Sequence, residues 1–195
     1  MKVDLHVHAK ERSACATVGE EAQIQAAIAQ GLDAIAFTDH HRLVPGARLA
    51  QLNERYAPFK IFNGIEITAD DEDWLVLGLN DPVLERWDWH YPDLASFVRR
   101  QGGFIALAHP FRYADYIQVN IDSLPPDGIE VRSQNTRSER EGEIRKIAAR
   151  LHLTALQNSD AHSVNPIGRF YNVLPDFNDG DAGLIATLMG LKEKP

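Results

Sequence analysis

Two histidines lie one residue apart in the first strand-like run of the chain, MKVDLHVHAK. The hydrophobic residues Leu5 and Val7 alternate with the polar residues Asp4, His6 and His8, which is the period of two that is typical of a β-strand. We therefore expect the three polar side chains on one strand face. Buried imidazoles and carboxylates must be satisfied, and a metal ion is one way to satisfy them. A solvent-exposed strand face would explain the same pattern without a metal.

Metal-capable side chains recur where further predicted strands end. Short apolar runs at 33–37, 60–68, 104–108, 128–132 and 153–157 are typical of buried strands. The side chains at or near the ends of these runs are Asp39, His40, Glu66, His109, Glu130, Asp160 and His162. In parallel α/β folds, the carboxyl ends of the strands converge on one face, where active sites lie. The pattern predicts that these side chains lie together.

Helices are predicted between the strands. Thr17 and Glu20 have the spacing of a capping box that begins the first helix, and Gly31 is a suitable residue to end it. The run at 74–79 predicts a strand that pairs with the strand before it, and a last short strand is expected at 171–174. Later helices are predicted at 47–56, 93–101, 138–151 and 181–191. Alternating strands and helices indicate an α/β fold.

The composition predicts a single domain over residues 1–195. The chain is 44% hydrophobic, and its 20 basic and 28 acidic residues give a net charge of −8, which argues against a long nucleic-acid groove. Cys15 is the only cysteine, so we expect no internal disulfide and a cytoplasmic location. The early His pair leaves no room for a signal peptide, and no apolar stretch reaches the roughly 18 residues of a membrane span.

Five motifs, in a fixed order, carry a resemblance to a known family: DLHVH, FTDHH, GIEIT, LAHPF and NSDAH. Together they resemble the PHP family, named for polymerase and histidinol phosphatase, from residue 1 to about residue 168. The resemblance implies an α/β fold, namely a distorted (β/α)7 barrel, with two or three divalent metal ions (Zn, Mn or Fe) at its mouth. The family includes histidinol-phosphate phosphatases, nucleotide and oligonucleotide phosphoesterases, and modules of bacterial DNA polymerases.

The resemblance also implies a role for each motif residue. A first metal would be bound by His6, His8 and Asp160. Glu66 would bridge it to a second metal, which His109 would bind. A third metal would be bound by His40 and His162, while Asp39, and also Asp4, would orient a ligand.

The chain departs from the fuller family pattern in two places. The loop AKERSAC lacks the histidine or aspartate that many members have after the first motif, and residues 110–129 contain no histidine. Glu130 or Asn135 could compensate for the second departure. The third metal site and part of the second rest on fewer ligands for this reason.

The chemistry that suits these residues is phosphoester hydrolysis. Imidazole and carboxylate ligands suit Zn, Mn or Fe, and two such ions that share a carboxylate can activate a hydroxide and clamp phosphoryl oxygens. Arg112 follows His109 by three residues and is expected to bind phosphate, which completes a catalytic set with Asp39 and His40.

The implied function is therefore a metal-dependent phosphoesterase that acts on a small phosphorylated metabolite or a short nucleotide, with no membrane partner. Two alternatives stay open: a non-catalytic or accessory module associated with nucleic-acid metabolism, and a metal hydrolase of C–N bonds. The sequence leaves open the roles of Cys15, His41, Arg42, Glu130 and Arg132.

Overall fold

The computed structural model describes residues 1–178 and 180–192. Within these residues, eight strands form one sheet in the order β7-β6-β5-β4-β3-β2-β1-β8. The strands are β1 (Lys2–Val7), β2 (Ala34–Phe37), β3 (Lys60–Ala69), β4 (Glu72–Leu77), β5 (Phe104–Leu107), β6 (Gly128–Arg132), β7 (Thr154–Gln157) and β8 (Asn172–Val173). The helices are α1 (Glu20–Ala29), α2 (Gly46–Tyr56), α3 (Tyr91–Arg100), α4 (Glu141–Leu151) and α5 (Gly180–Gly190). Short 3₁₀ turns cover Pro82–Glu85 and Ser138–Arg140.

The sheet curls into a nearly closed barrel, which confirms the expected distorted (β/α)7 barrel. Parallel ladders join β1 to β2, β2 to β3, β5 to β6 and β6 to β7, whereas β4 is antiparallel to both of its neighbours. The cause is a two-residue turn at Asp70 and Asp71, whose φ angles of 52° and 64° fit a tight hairpin. Consequently β4 begins at the barrel end where the parallel strands finish.

Side chains help to close the seam between β7 and β1. An isolated parallel bridge joins Val7 to Ala161. The Asn172 carboxamide spans the seam below it: its Nδ2 donates to the carbonyls of Val3 (3.2 Å) and Gln157 (2.9 Å), and its Oδ1 accepts from the Gln157 amide (3.0 Å). The short strand β8 therefore supplies the residue that ties the two ends of the sheet together.

The hydrophobic core occupies three regions. One cluster fills the barrel, where Leu184 and Leu188 of α5 join Val3 and Phe104. Two outer clusters lie on the sheet, one against α3 and α4 and one against α1 and α2. Because the amino-terminal end is packed with apolar side chains, polar side chains can gather at the other end. None of the helices in the described ranges is both long and apolar enough to cross a membrane.

The structure corrects the expected start of the first helix. Gly19 is the N-cap of α1, and the first helical amide, that of Glu20, donates to Glu11 Oε2 (3.1 Å), so the capping box is wrong. The Thr17 hydroxyl instead donates to the His162 carbonyl (3.1 Å), and the Glu20 carboxylate accepts from Arg12 (2.8 Å). Both polar residues are used to hold the loop after β1 in place, which is a tertiary demand that helix spacing does not reveal.

Two further expectations are adjusted. Glu66 lies within β3, not at its end, and it is opposite His40 in an isolated parallel bridge. The pairing of β1 with β2 shifts register between Asp4 and Val7. Asp4 was expected on the same strand face as His6 and His8, but the irregularity separates it from the two histidines. Its carboxylate accepts from the backbone amides of His6 (3.3 Å) and Ser159 (3.0 Å) instead.

Candidate metal centre

The seven residues expected to bind metal lie together at the carboxyl ends of the parallel strands. Their ligand atoms form overlapping groups whose members all lie within 4.8 Å of one another. The groups are His6–His8–Glu66, His6–His109–Asp160, Glu66–Asp73–His109 and His8–His40–His162. Because the groups share members, they form one unit, which we call the histidine–carboxylate cluster: His6, His8, His40, Glu66, Asp73, His109, Asp160 and His162.

Glu66 lies at the centre of the histidine–carboxylate cluster, and its side chain is 1% exposed. Its Oε1 is 3.0 Å from His109 Nε2 and 3.4 Å from His6 Nε2. Its Oε2 is 2.8 Å from His40 Nδ1 and 3.4 Å from His8 Nε2. The two oxygens thus face different pairs of imidazoles, as a carboxylate shared between two ions would.

Four buried atoms of the cluster lack a hydrogen-bond partner among the described residues: Glu66 Oε2 and, close together, His6 Nε2, His8 Nε2 and Asp160 Oδ1. The Asp160 oxygen is 3.3 Å from each of the two nitrogens. Buried polar atoms are costly when unpaired, so three of them at one point call for a common partner. A divalent cation that accepts nitrogen and oxygen donors, such as Zn, Mn or Fe, fits this set.

Glu130 fixes the orientation of His6. Its Oε1 is 3.0 Å from His6 Nδ1, and because a carboxylate only accepts, Nδ1 carries a proton and Nε2 is the nitrogen that faces the cluster. The Asn158 amide donates to the same oxygen (2.8 Å), and Glu130 Oε2 accepts from the His109 backbone (2.9 Å). The role that the sequence left open for Glu130 is therefore that of a positioning residue.

Ser13 and Asp39 support His8 in the same way. The Ser13 hydroxyl lies 3.2 Å from His8 Nδ1 and donates to Asp39 Oδ1 (2.7 Å). The Asp39 carboxylate also accepts from the Ala9 amide and from Arg12 Nε, both at 2.7 Å. Asp39 therefore contacts His8 only through Ser13 and lies outside the histidine–carboxylate cluster. The sequence did not indicate a role for Ser13, because the loop AKERSAC was compared with the family pattern only for a metal ligand, which it lacks.

His40 and His162 lie on the open side of the cluster. Their side chains are 33% and 22% exposed, whereas those of His6 and His8 are fully buried. Both rings stack on His8, with centroids at 4.5 Å for His40 and 4.2 Å for His162. These two histidines line the entrance through which a substrate would reach the buried atoms.

Asp73 is a cluster member that the sequence reasoning missed. Its Oδ2 is 3.8 Å from His109 Nε2 and accepts from the Tyr113 hydroxyl (2.5 Å), while its Oδ1 accepts from Thr68 (2.6 Å). The sequence prediction placed site residues at the ends of strands. Because β4 runs antiparallel, it is the residue near the start of this strand that faces the site. Asn135, one of the two residues that could compensate for the missing histidine in residues 110–129, donates to Asp160 Oδ2 (2.5 Å).

Arg112 is placed beside the cluster, as expected. Its Nη1 lies 3.2 Å from His109 Nε2, and its guanidinium packs over the Tyr113 ring at 5.3 Å. Three other arginines near predicted strand ends pair with carboxylates: Arg12 with Asp39 and Glu20, Arg42 with Glu85, and Arg132 with Glu141.

Two residues with open roles lie outside the cluster. His41 is oriented away, since its Nδ1 donates to the Arg86 carbonyl (3.2 Å), its Nε2 accepts from the Thr68 amide (3.1 Å), and its ring stacks on Trp87. Burial lowers the pKa of His41, which suits this neutral tautomer. Cys15 is exposed and belongs to none of the groups that could hold a metal in the described ranges.

Burial and opposite charges act against each other on the pKa values of the cluster. Burial disfavours protonated His6, yet Asp160, Glu130 and Glu66 raise its pKa well above the ordinary value. Burial likewise disfavours ionised Glu66, but His6, His109 and His40 hold its pKa well below the ordinary value. Glu66 therefore stays ionised at neutral pH and is available as a ligand. Asp4, outside the cluster, has its pKa raised to about 7 by burial.

Comparison with known proteins gives a family and a fold. The sequence matches the model of the PHP domain family over residues 4–167, and no curated protein sequence matches it. One similar structure is a two-domain protein from Bacteroides vulgatus that contains a predicted PHP-like metal-dependent phosphoesterase (TM-score 0.66, 22% identity). That match covers 84% of this chain and 52% of the other, so this chain spans about half its length.

Two further solved structures have the same fold over almost their whole length. An amidohydrolase from Chromobacterium violaceum, with bound sulfate and no metal, has a TM-score of 0.68 at 18% identity, covering 90% of this chain and 92% of that one. A candidate metal-dependent phosphoesterase from Bifidobacterium adolescentis has a TM-score of 0.67 at 16% identity, covering 98% and 96%. At these identities the likeness establishes the fold.

We predict that Glu130→Gln weakens metal binding about 10- to 100-fold, because a glutamine at this position offers His6 Nδ1 a poorer acceptor and no negative charge. Competitive titration of Zn²⁺ against a chromophoric chelator measures this change. The control is Glu54→Gln, which neutralises an exposed glutamate on α2. Equal metal affinity in Glu130→Gln and the control would show that Glu130 does not position His6.

Proposed function

The chain belongs to the PHP domain family, and from this premise we propose that it is a metal-dependent phosphoesterase that hydrolyses a small phosphorylated metabolite or a short nucleotide. The observation that carries the proposal is the meeting of His6 Nε2, His8 Nε2 and Asp160 Oδ1 as buried atoms without a partner in the described part of the chain. Two of the similar structures are named as phosphoesterases of this metal-dependent kind.

The cluster offers ligands for more than one ion. His6, His8 and Asp160 would hold a first ion, and Glu66 would share its oxygens between that ion and a second one held by His109, with Asp73 within reach. His40 and His162, with His8 between them, would hold a third. When bound, such ions supply a hydroxide at neutral pH and neutralise charge on phosphoryl oxygens.

The chain's own residues prepare the site for this reaction. Glu130 and Ser13 contact Nδ1 of His6 and of His8, so the Nε2 atom of each ring is left to bind a metal. Arg112 offers a guanidinium beside His109, where it would bind and orient a phosphoryl oxygen. The ligand atoms of His6, His8 and Glu66 are buried, whereas His40 and His162 are partly exposed, and burial strengthens electrostatic interactions within the site.

A small substrate suits the distribution of charge. A polynucleotide needs a continuous basic surface, since phosphate neutralisation dominates its affinity. This chain has a net charge of −8, and Arg12, Arg42 and Arg132 are each paired with a carboxylate. Arg112 beside the cluster is sufficient for one or two phosphate groups but not for a long strand.

We predict that Glu66→Gln lowers phosphoesterase turnover by about two orders of magnitude or more and reduces bound metal, because a neutral amide shares coordination poorly. The measurement pairs metal analysis of the purified protein with rates on a panel of phosphomonoesters and phosphodiesters. Glu54→Gln again serves as the control.

Wild-type turnover and metal content in a folded Glu66→Gln protein would refute the bridging role. If the metal-loaded wild type hydrolyses carboxamides and no phosphoester, the C–N hydrolase alternative replaces the phosphoesterase. If it hydrolyses neither although metal is bound, the accessory-module alternative does.

We also predict that Arg112→Ala lowers kcat/KM for a small phosphoester about 10- to 100-fold, the usual effect of a lost charge-assisted hydrogen bond, with little change in metal content. Steady-state kinetics on the same panel, with Arg100→Ala on the exposed end of α3 as the control, measures it. Processive degradation and tight, salt-sensitive binding of long DNA or RNA would contradict the preference for a small substrate.

A further inference from the structure

A second cavity opens on the same end of the barrel as the histidine–carboxylate cluster. It has a volume of about 360 Å³ and lies between the segment that follows β6, the start of α4, and the loop before β8. Its walls include the side chains of Arg132, Ser133, Thr136, Ser138, Arg169 and Phe170. A volume of this size is at the lower end of small-molecule sites and fits one part of a compact ligand.

The cavity and the cluster share a wall. Ser133, Gln134 and Thr136 line the cavity, and Asn135 of the same segment donates through Nδ2 to Asp160 Oδ2 (2.5 Å). The amide of Gln134 donates to the Ser159 carbonyl (3.4 Å). This segment therefore lies between the cluster and the cavity, and a ligand with its phosphoryl group at the cluster would cross it to reach the cavity.

The cavity carries a positive charge without a partner. The guanidinium groups of Arg132 and Arg169 both lie against the Phe170 ring, at 5.5 and 5.3 Å from its centroid. Arg132 is paired with Glu141. In contrast, within residues 1–178 and 180–192 the Arg169 guanidinium makes no hydrogen bond or ion pair, so its donors are available to a ligand.

The walls also include the Glu141 carboxylate, whose oxygens form ion pairs with Arg132 (2.5 Å) and Arg145 (2.9 Å), and the hydroxyl groups around it are suited to an anion. Ser133, Thr136 and Ser138 place hydroxyl groups around the cavity, and each hydroxyl can donate to an acidic oxygen. A guanidinium binds carboxylate and phosphate in a bidentate manner, which gives the site direction as well as charge.

We propose that this cavity is a subsite for a second acidic group, a carboxylate or a phosphate, on the part of the substrate that leaves with the ester oxygen. The inference rests on the proposed function, in which the phosphoryl group to be hydrolysed lies at the cluster. Arg169 is the specificity-determining residue of the subsite, and Phe170 holds its guanidinium in place. Substrates would then be small molecules with two acidic groups rather than simple phosphate esters.

A larger cavity is too far from the histidine–carboxylate cluster to serve as this subsite. It has a volume of about 800 Å³ but lies at the opposite end of the barrel, where Met1, Asp33 and Lys60 mark the starts of the first three parallel strands. A ligand bound there would be separated from the histidine–carboxylate cluster by the packed barrel interior.

Calorimetric binding of non-hydrolysable phosphonates to the Mn²⁺-loaded protein tests the subsite. The probes are 3-phosphonopropionate, 4-phosphonobutyrate and 1,3-propanediphosphonate, each paired with the alkylphosphonate of matched length that lacks the second acid. We expect at least one diacid to bind about tenfold more tightly than its partner, or better. The carboxylate and diphosphonate probes distinguish the two kinds of acid. Arg169→Gln should bring the ratio of affinities close to one, Arg169→Lys should retain part of it, and Arg100→Gln should leave it unchanged.

Three results would overturn the subsite: ratios near one in the wild type, a ratio that Arg169→Gln does not change, or no binding of any phosphonate. The proposed function is judged separately, by hydrolysis of the phosphoester panel. A protein that shows the Arg169-dependent ratio but hydrolyses no phosphoester would keep the subsite and lose the phosphoesterase assignment. A protein that hydrolyses phosphoesters with ratios near one would do the reverse.

Discussion

The structure is governed by the need to keep a buried carboxylate ionised. Glu66 is almost completely excluded from solvent within β3, and an isolated charge at such a position would cost several kcal/mol. The histidines from β1, from the segment after β2 and from the segment after β5 surround it and supply the compensating polarity. Their arrangement leaves His6 Nε2, His8 Nε2 and Asp160 Oδ1 without partners. A bound cation would give these atoms the partner that the described residues do not supply.

The barrel and the site depend on each other at the seam between β1 and β7. Asn172 ties Val3 to Gln157 and also donates to Asn158 (2.8 Å). Asn158 in turn donates to Glu130, which orients His6. One chain of hydrogen bonds therefore connects closure of the sheet with the tautomer of a proposed ligand. The residues that close the sheet thus also fix the orientation of His6 in the site.

The sequence was informative wherever a residue and its structural position follow from a simple period. Apolar runs that alternate with helical segments predicted the strands along the chain. The five motifs predicted seven members of the histidine–carboxylate cluster. Two contributors escaped this reasoning for physical reasons, and the role of a third stayed open. Asp73 faces the site because β4 runs antiparallel, and Ser13 acts through a tertiary contact to Asp39. Glu130 was named from the sequence, but its bond to His6 Nδ1, the ring nitrogen on the side away from Glu66, was not. Spacing singled out Arg112, and the ion pairs of Arg12, Arg42 and Arg132 distinguish those arginines from it.

The central claim is that the histidine–carboxylate cluster binds divalent metal, and anomalous diffraction tests it most directly. Crystals of the protein loaded with Zn²⁺ would be measured on both sides of the zinc absorption edge. The account predicts at least two anomalous peaks, one of them about 2.0–2.2 Å from His6 Nε2, His8 Nε2 and Asp160 Oδ1, and another beside Glu66 and His109. A well-folded protein at saturating zinc with no peak inside the cluster would contradict the account.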